Sequence, residues 1–153
     1  GAEERGQAEA IAYNIQEMYG LKVPIIMTVI GEGASGGALG IGLSDKVLMM
    51  ENAWYCVISP EGCASILWKS PEHKEKAAGV LKLTANDLMD LKIIDEIVSE
   101  PLGGAHRFPN ETFDNLEKSI AKNLKELSKL SDEKLLDLRF EKYRHMGVYE
   151  SAK

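Results

Sequence analysis

The chemistry of this chain is concentrated in one stretch, Gly31-Glu32-Gly33-Ala34-Ser35-Gly36-Gly37-Ala38-Leu39-Gly40-Ile41-Gly42, which holds six of its 14 glycines. Three kinds of chemistry suit those residues. Gly31-x-Gly33-x-x-Gly36 between a strand and a helix matches the dinucleotide fingerprint, with Glu51 placed twenty residues on to hold a ribose hydroxyl. Against it, only nine residues separate Gly36 from the next strand candidate at Lys46, room for about two helical turns. A dinucleotide-binding crossover normally needs more. Gly33-x-Ser35-x-Gly37 also satisfies the nucleophile-elbow pattern, which would take Asp87 or Asp95 and then His106 as partners. The third reading needs no side chain. Successive glycines at a helix N-terminus let backbone N–H groups approach a ligand oxygen with no Cβ in the way, which makes an oxyanion hole. On this reading Gly36 and Gly37, at the turn, serve function, and Gly40 and Gly42, inside the helix, serve packing.

The elements that must position this loop follow from pattern. Residues Glu3–Tyr19 carry Ala8, Ile11, Ile15 and Met18 at helical spacing, with Gly20 as a left-handed stop. Pro24–Ile30 is a continuous apolar run, which predicts a strand buried on both faces. Lys46–Met50, Trp54–Ile58 and Ile93–Val98 are further strand candidates. Ser59-Pro60-Glu61 has the N-cap, the N1 proline and the first-turn acid of a helix start. Ser70-Pro71-Glu72 repeats that signal, and Thr84 caps a third short helix. From Asn110 the stripe Phe113, Leu116, Ile120, Leu124 and Leu127, followed by Ser131 and then Leu135, Leu138 and Phe140, predicts an αα-hairpin. Its charged outer face reads as solvated surface. No internal repeat is evident. The expected organisation is an α/β core over residues 1–109 and a helical hairpin over 110–153.

Composition bounds the function. The chain has 153 residues, is 44% hydrophobic and carries a formal charge of -6, which disfavours nucleic acid as its main partner. Cys56 and Cys63 make neither a disulfide framework nor a metal-knuckle spacing. The longest apolar run is far shorter than the ~20 residues a membrane helix needs. The polar start Gly1–Gly6 lacks the pattern of a secretory leader. The absence of an initiator Met, with a helix beginning at once, reads as a fragment or processed chain. Cys63 and Trp68 are expected in packing, Glu61 as a helix-dipole acid and Lys69 as an exposed cation. Arg107 and Glu32 carry no sharper reading than a possible anion contact and loop support.

Four strings then carry a resemblance: Gly1-Ala-Glu-Glu-Arg-Gly-Gln7, Thr28-Val-Ile-Gly-Glu-Gly-Ala-Ser-Gly-Gly-Ala-Leu39, Ser59-Pro-Glu-Gly-Cys-Ala-Ser-Ile-Leu-Trp-Lys69 and Glu100-Pro-Leu-Gly-Gly-Ala-His-Arg107. In this order they resemble the carboxyltransferase α subunits of bacterial-type or plastid multi-subunit acetyl-CoA carboxylase, over Gly1 to about Tyr149. The resemblance implies a crotonase-like α/β fold of repeated ββα turns. It implies transfer of a carboxyl group from carboxybiotin, on a separate carrier protein, to acetyl-CoA, giving malonyl-CoA for fatty acid biosynthesis. It implies a β-subunit partner in an α2β2 assembly, no metal on this chain, and a cytoplasmic or plastid-stromal location. The family's oxyanion hole maps onto Gly36 and Gly37, on the biotin side, with Gly33, Ala34 and Ser35 as the adjoining loop. Ala34 and Gly40 stand where many relatives have Gly and Ala. The family's α subunit is about twice this length, with a further active-site turn upstream of Gly1. The same segment alone would therefore act as a partner-binding piece of a larger site.

Overall fold

The computed structural model describes residues 1–147; positions 148–153, the end of the expected hairpin region and of the resemblance, lie outside the described residues. A short 3-10 turn, Glu3–Arg5, ends at Gly6 in the left-handed region (φ 81°), so the first helix, α1, runs Gln7–Tyr19 rather than from Glu3. Gly20 closes α1 at φ -85°, an ordinary right-handed conformation that uses none of glycine's freedom.

Two pairs of short strands follow a common plan. β1 (Ile26–Val29) passes through Ile30 and Gly31 directly into β2 (Glu32–Ala34), and then into α2 (Ser35–Gly42). β3 (Lys46–Met50) leads in the same way to β4 (Trp54–Cys56) and α3 (Pro60–Trp68). β1 pairs in parallel with β3, Ile26 opposite Lys46, while β2 pairs in parallel with β4, Glu32 opposite Trp54. Each β-β-α unit thus contributes one strand to each of two sheets. No repeat shows in the sequence because the register is made by backbone hydrogen bonds, and matched positions carry residues as different as Ile26 and Lys46. α4 (Lys74–Leu81) and α5 (Ala85–Asp90) then lead to β5 (Glu96–Val98), which completes the sheet order β1-β3-β5.

This order corrects the expectation for β1. As an edge strand it alternates, with Met27 and Val29 buried, Ile26 and Thr28 half-buried, and Ile30 74% exposed. The strand buried on both faces is β3, the centre of the sheet, where Val47 to Met50 are at most 3% exposed. With Ala85, Leu88, Ile94 and Val98 it makes the main core. A smaller cluster joins Cys63 and Ala64 of α3 to Ala77 of α4, with Trp68 against it, as packing roles for Cys63 and Trp68 require.

The three capping signals hold. Ser59, Ser70 and Thr84 accept the N–H groups of Gly62, Glu72 and Asp87, although Ser70 caps a 3-10 turn that runs on into α4. The last two helices are α6 (Pro109–Leu127) and α7 (Asp132–Arg144), the latter capped by Ser131. In α6, Leu116 and Ile120 pack on the core and Leu127 is buried, whereas Phe113 and Leu124 of the same stripe are exposed. In α7, Leu138 and Phe140 are exposed, and the buried positions are Leu135 and Arg139.

Candidate functional site

The glycine stretch makes one sharp turn. Ala34 ends β2 in an extended conformation (φ -140°, ψ 149°) and Ser35 starts α2 at φ 56°. The left-handed residue is therefore the serine, and neither Gly36 nor Gly37 uses a conformation closed to other residues. For a non-glycine residue that conformation costs on the order of 1 kcal/mol. The turn stores a little strain at its tightest point.

What the glycines do is decided by what a side chain would meet. A Cβ at Gly33 would lie 2.8 Å from the Tyr55 ring, and one at Gly42 would lie 2.8 Å from the Tyr55 hydroxyl. Tyr55 thus spans the stretch, touching a glycine at each end. A Cβ at Gly36 would press on the end of the Ile11 side chain of α1 at 3.2 Å, and one at Gly40 would meet Ile11 at 3.4 Å, an ordinary contact distance. Close approach accounts for Gly33 and Gly42 and bears less on Gly36. At Gly37, in the first turn of α2, a Cβ would meet nothing within 4 Å. An added Cβ at Gly31 would likewise meet nothing, so within α2 it is Gly37 whose lack of a side chain the surrounding contacts leave unexplained.

Two hollows flank the turn. One, of about 390 Å³, is bounded by Ser35, Gly36, Leu39, Tyr55, Cys56 and apolar side chains behind them. The other, of about 410 Å³, is bounded by β1, β2 and the Gly37 side of α2. Gly36 and Gly37, expected as a pair, therefore border different hollows. Burial raises the Tyr55 hydroxyl above its ordinary value, with the Tyr143 hydroxyl adding to the effect, and burial likewise raises the Cys56 thiol. Neither supplies an anion near neutral pH. Around the turn Ile30, Leu39, Ile41 and Val57 are each more than half exposed.

The side-chain chemistries weighed from sequence are not assembled. Glu51 accepts the N–H of Glu100 at 3.0 Å, and Gly33 lies within β2 instead of in a strand-to-helix turn, so the dinucleotide arrangement is absent. Asp87 is bonded to Thr84, Asp95 to Lys142 and the N–H of Val47, and His106 sits on an exposed loop. Among the described residues no hydrogen bond links Ser35 to a histidine or a carboxylate, and no three metal-binding side chains converge.

The far end of α2 holds what sequence reasoning missed. The Arg139 guanidinium, fully buried, grips Asp45 through Nε to Oδ1 (2.8 Å) and Nη2 to Oδ2 (2.9 Å). Its remaining donors reach the carbonyls of Met18, Tyr19, Leu21 and Val23, and Asp45 also accepts the N–H of Ile25. Tyr143 accepts the N–H of Ser44 at 2.7 Å and lies 2.9 Å from the carbonyl of Gly42. The available signal was positional: Arg139 stands four residues after Leu135, on the buried stripe of α7.

Comparison with known proteins decides the family. Residues 1–147 match the family described as acetyl co-enzyme A carboxylase carboxyltransferase-like. The chain belongs to the acetyl-CoA carboxylase carboxyltransferase family. It is similar to the acetyl-coenzyme A carboxylase carboxyl transferase subunit alpha of Flavobacterium psychrophilum, 61% identical over 97% of this chain and 47% of that protein. The corresponding subunit of Chlorobaculum parvum is 56% identical over 99% of this chain and 45% of its own length. The chain therefore spans about half the length of the curated relatives it matches. Two solved structures share the fold. A Pseudomonas malonate decarboxylase hetero-tetramer in complex with coenzyme A superposes with a TM-score of 0.66 at 13% identity, covering 90% of this chain and 52% of the other. A transcarboxylase 12S structure, with methylmalonyl-coenzyme A and methylmalonic acid bound, gives 0.59 at 17%, covering 94% and 24%. At these identities the superpositions show the fold alone, and the crotonase-like α/β fold that the resemblance implied is the fold of this chain.

Proposed function

We propose that this chain is the part of an acetyl-CoA carboxylase carboxyltransferase α subunit that holds an oxyanion during carboxyl transfer to acetyl-CoA. Carboxybiotin, carried on a separate protein, would supply the transferable carboxyl group as CO2 and, at the ureido nitrogen freed when that bond breaks, the base for the acetyl methyl proton, so that the enolate captures the CO2. The chain's part is electrostatic. The N–H groups of Gly36 and Gly37 open α2, where the helix dipole favours negative charge, and they stabilise charge that develops on an oxygen. Gly33, Ala34 and Ser35 form the approach to that oxygen through their backbone.

The observation that carries this reading is the open space beside Gly37, where an added Cβ would meet nothing within 4 Å outside its chain neighbours and its own helix. A glycine there leaves room for something from outside. Gly36 is the weaker member, because a Cβ there would press on Ile11. The exposed Leu39 and Ile41 on the same helix support completion of the site against a β subunit, in an α2β2 assembly fed by the carrier protein. We place the assembly in the cytoplasm or plastid stroma, making malonyl-CoA for fatty acid synthesis. Residues 1–109 are the carboxyltransferase core and 110–153 a helical appendage to it. No described helix is long and apolar enough to cross a membrane.

The test is Gly37→Val in the full-length subunit assembled with its partner. A branched side chain would occupy the oxygen's position. Loss of one well-aimed donor costs on the order of 10² to 10³ in kcat. Malonyl-CoA formation should fall by about that factor, with the assembly intact by sedimentation. Normal turnover by an intact assembly would show the assignment to be wrong. A second reading, that this segment only completes a site lying elsewhere, is favoured by its coverage of half of each relative, and predicts no turnover by the isolated chain.

A further inference from the structure

α2 is a poor helix standing alone. It has eight residues, four of them glycine, each of which costs a helix interior about 1 kcal/mol relative to alanine. Two turns are also too few to be stable in isolation. Yet the proposed oxyanion donors sit at its first turn, where their aim depends on the direction of the whole element. The helix must be held from outside.

The side-chain hydrogen bonds that hold it gather at its C-terminal end, and they come from residues about a hundred positions later. The Tyr143 hydroxyl accepts the Ser44 N–H at 2.7 Å and donates to the Gly42 carbonyl at 2.9 Å or to that of Ser44 at 3.1 Å. Gly42 carries one of the carbonyls a helix end leaves without an internal partner. The Lys142 ammonium binds Asp95 at 2.7 Å and reaches the carbonyls of Ser44 and Asp45. Arg139 holds Asp45 on one side and the carbonyls at the end of α1 on the other. α1 is also the wall against which Gly36 and Gly40 pack through Ile11. One buried guanidinium therefore fixes the flank of α2 and the segment that leaves its end.

We propose that α7 is a positioning element for the site, in which Tyr143 and Arg139 set the direction of α2 and so the aim of the N–H groups at its start. Neither residue touches a reacting atom. The inference rests on the assignment of the oxyanion donors to α2, and its test separates the two.

The variant is Tyr143→Phe in the full-length subunit assembled with its partner, since it keeps the ring and removes only the hydroxyl. Arg139→Lys is the second variant; it keeps the charge and loses the two-pronged grip. A core change remote from α2, Val98→Ala, supplies a control with a comparable loss of thermal midpoint. Three quantities are read: amide hydrogen exchange at residues 36–42, kcat, and KM for acetyl-CoA. We expect Tyr143→Phe to speed exchange across α2 and lower kcat, each roughly tenfold, with KM within about twofold. Val98→Ala should move neither exchange in α2 nor kcat per assembled complex. Unchanged exchange in Tyr143→Phe overturns the proposal. So does faster exchange with unchanged kcat when Gly37→Val is crippled in the same assay. If Gly37→Val itself turns over normally, the assignment of the donors has failed, and the exchange data then report on the clamp alone.

Discussion

The two ends of α2 are built on opposite terms. At its start, Ser35 is exposed in a left-handed conformation, an added Cβ at Gly37 would have open space, and two hollows open on either side. At its finish, side chains of α7 bond the Gly42 carbonyl, the Ser44 N–H and the Asp45 carboxylate, and the Arg139–Asp45 pair is buried. Both ends belong to one run of eleven residues, so composition is not the source of the difference. The difference lies in which other elements arrive. On the proposed reading, the end that admits a ligand is left unfilled, and the opposite end supplies its rigidity.

The largest expected effect is at the closed end. Removing one partner of a buried ion pair leaves the other charged and uncompensated, at about 3–5 kcal/mol. Arg139→Met should destabilise the fold by that order, measured by urea unfolding, with Asp45→Asn less severe because it retains an acceptor for Ile25. A loss below about 1 kcal/mol would mean the pair is not the anchor described.

Gly42 sharpens the contrast with Gly37. A methyl at Gly42 would lie 2.8 Å from the Tyr55 hydroxyl, tighter than real Cβ contacts allow, whereas one at Gly37 has open space. Overpacking of this kind costs typically 1–3 kcal/mol. Gly42→Ala should lower the thermal midpoint while Gly37→Ala leaves it nearly unchanged. Equal effects at the two positions would erase the comparison.

At the open end the predicted effect is smaller and of opposite sign. Ser35→Gly relieves the left-handed conformation and should stabilise the fold by roughly 1 kcal/mol, less the entropy a glycine adds to the unfolded chain. An activated-serine probe should leave Ser35 unlabelled, since no base is bonded to it. Stoichiometric labelling would restore the hydrolase chemistry that the geometry does not assemble.

The smallest effect is a pH dependence remote from both ends. Burial alone would raise the Glu96 carboxyl, but hydrogen bonds from Asn123 (2.9 Å) and Lys122 (3.1 Å) outweigh it, and the group lies below its ordinary value of 4.5. With a depressed folded value, its contribution is fully present above 4.5 and is lost as pH falls through the folded value. The stability gap between the parent and Glu96→Gln should therefore narrow from pH ~7 to pH ~3, without touching α2. A constant gap would remove ionisation from the link between β5 and α6.

Much of this molecule was written locally. The caps Ser59, Thr84 and Ser131 stand where their side chains accept the first N–H groups of a helix, a relation that spans three residues and needs nothing else. The glycine turn, the short helix after it and the family strings are likewise continuous in the chain, so the family and the candidate loop were legible, although Glu32–Ala34, read as part of the turn, is the strand β2. Three features were not. The burial of β3 rather than β1 depends on strand order, which a run of apolar residues does not encode. The packing of Gly33 and Gly42 against Tyr55 and of Gly36 and Gly40 against Ile11 depends on residues that arrive from β4 and α1, and among the glycines of α2 only Gly37 lacks such a neighbour. The pairing of Arg139 with Asp45 joins positions 94 residues apart. A charged residue on a helix stripe reads as solvated until its partner is known, because the cost of burying the charge is met by a group elsewhere in the chain. Local spacing determined the helix caps and the glycine turn proposed to hold an oxygen; long-range pairing alone decided what packs against that turn and its helix.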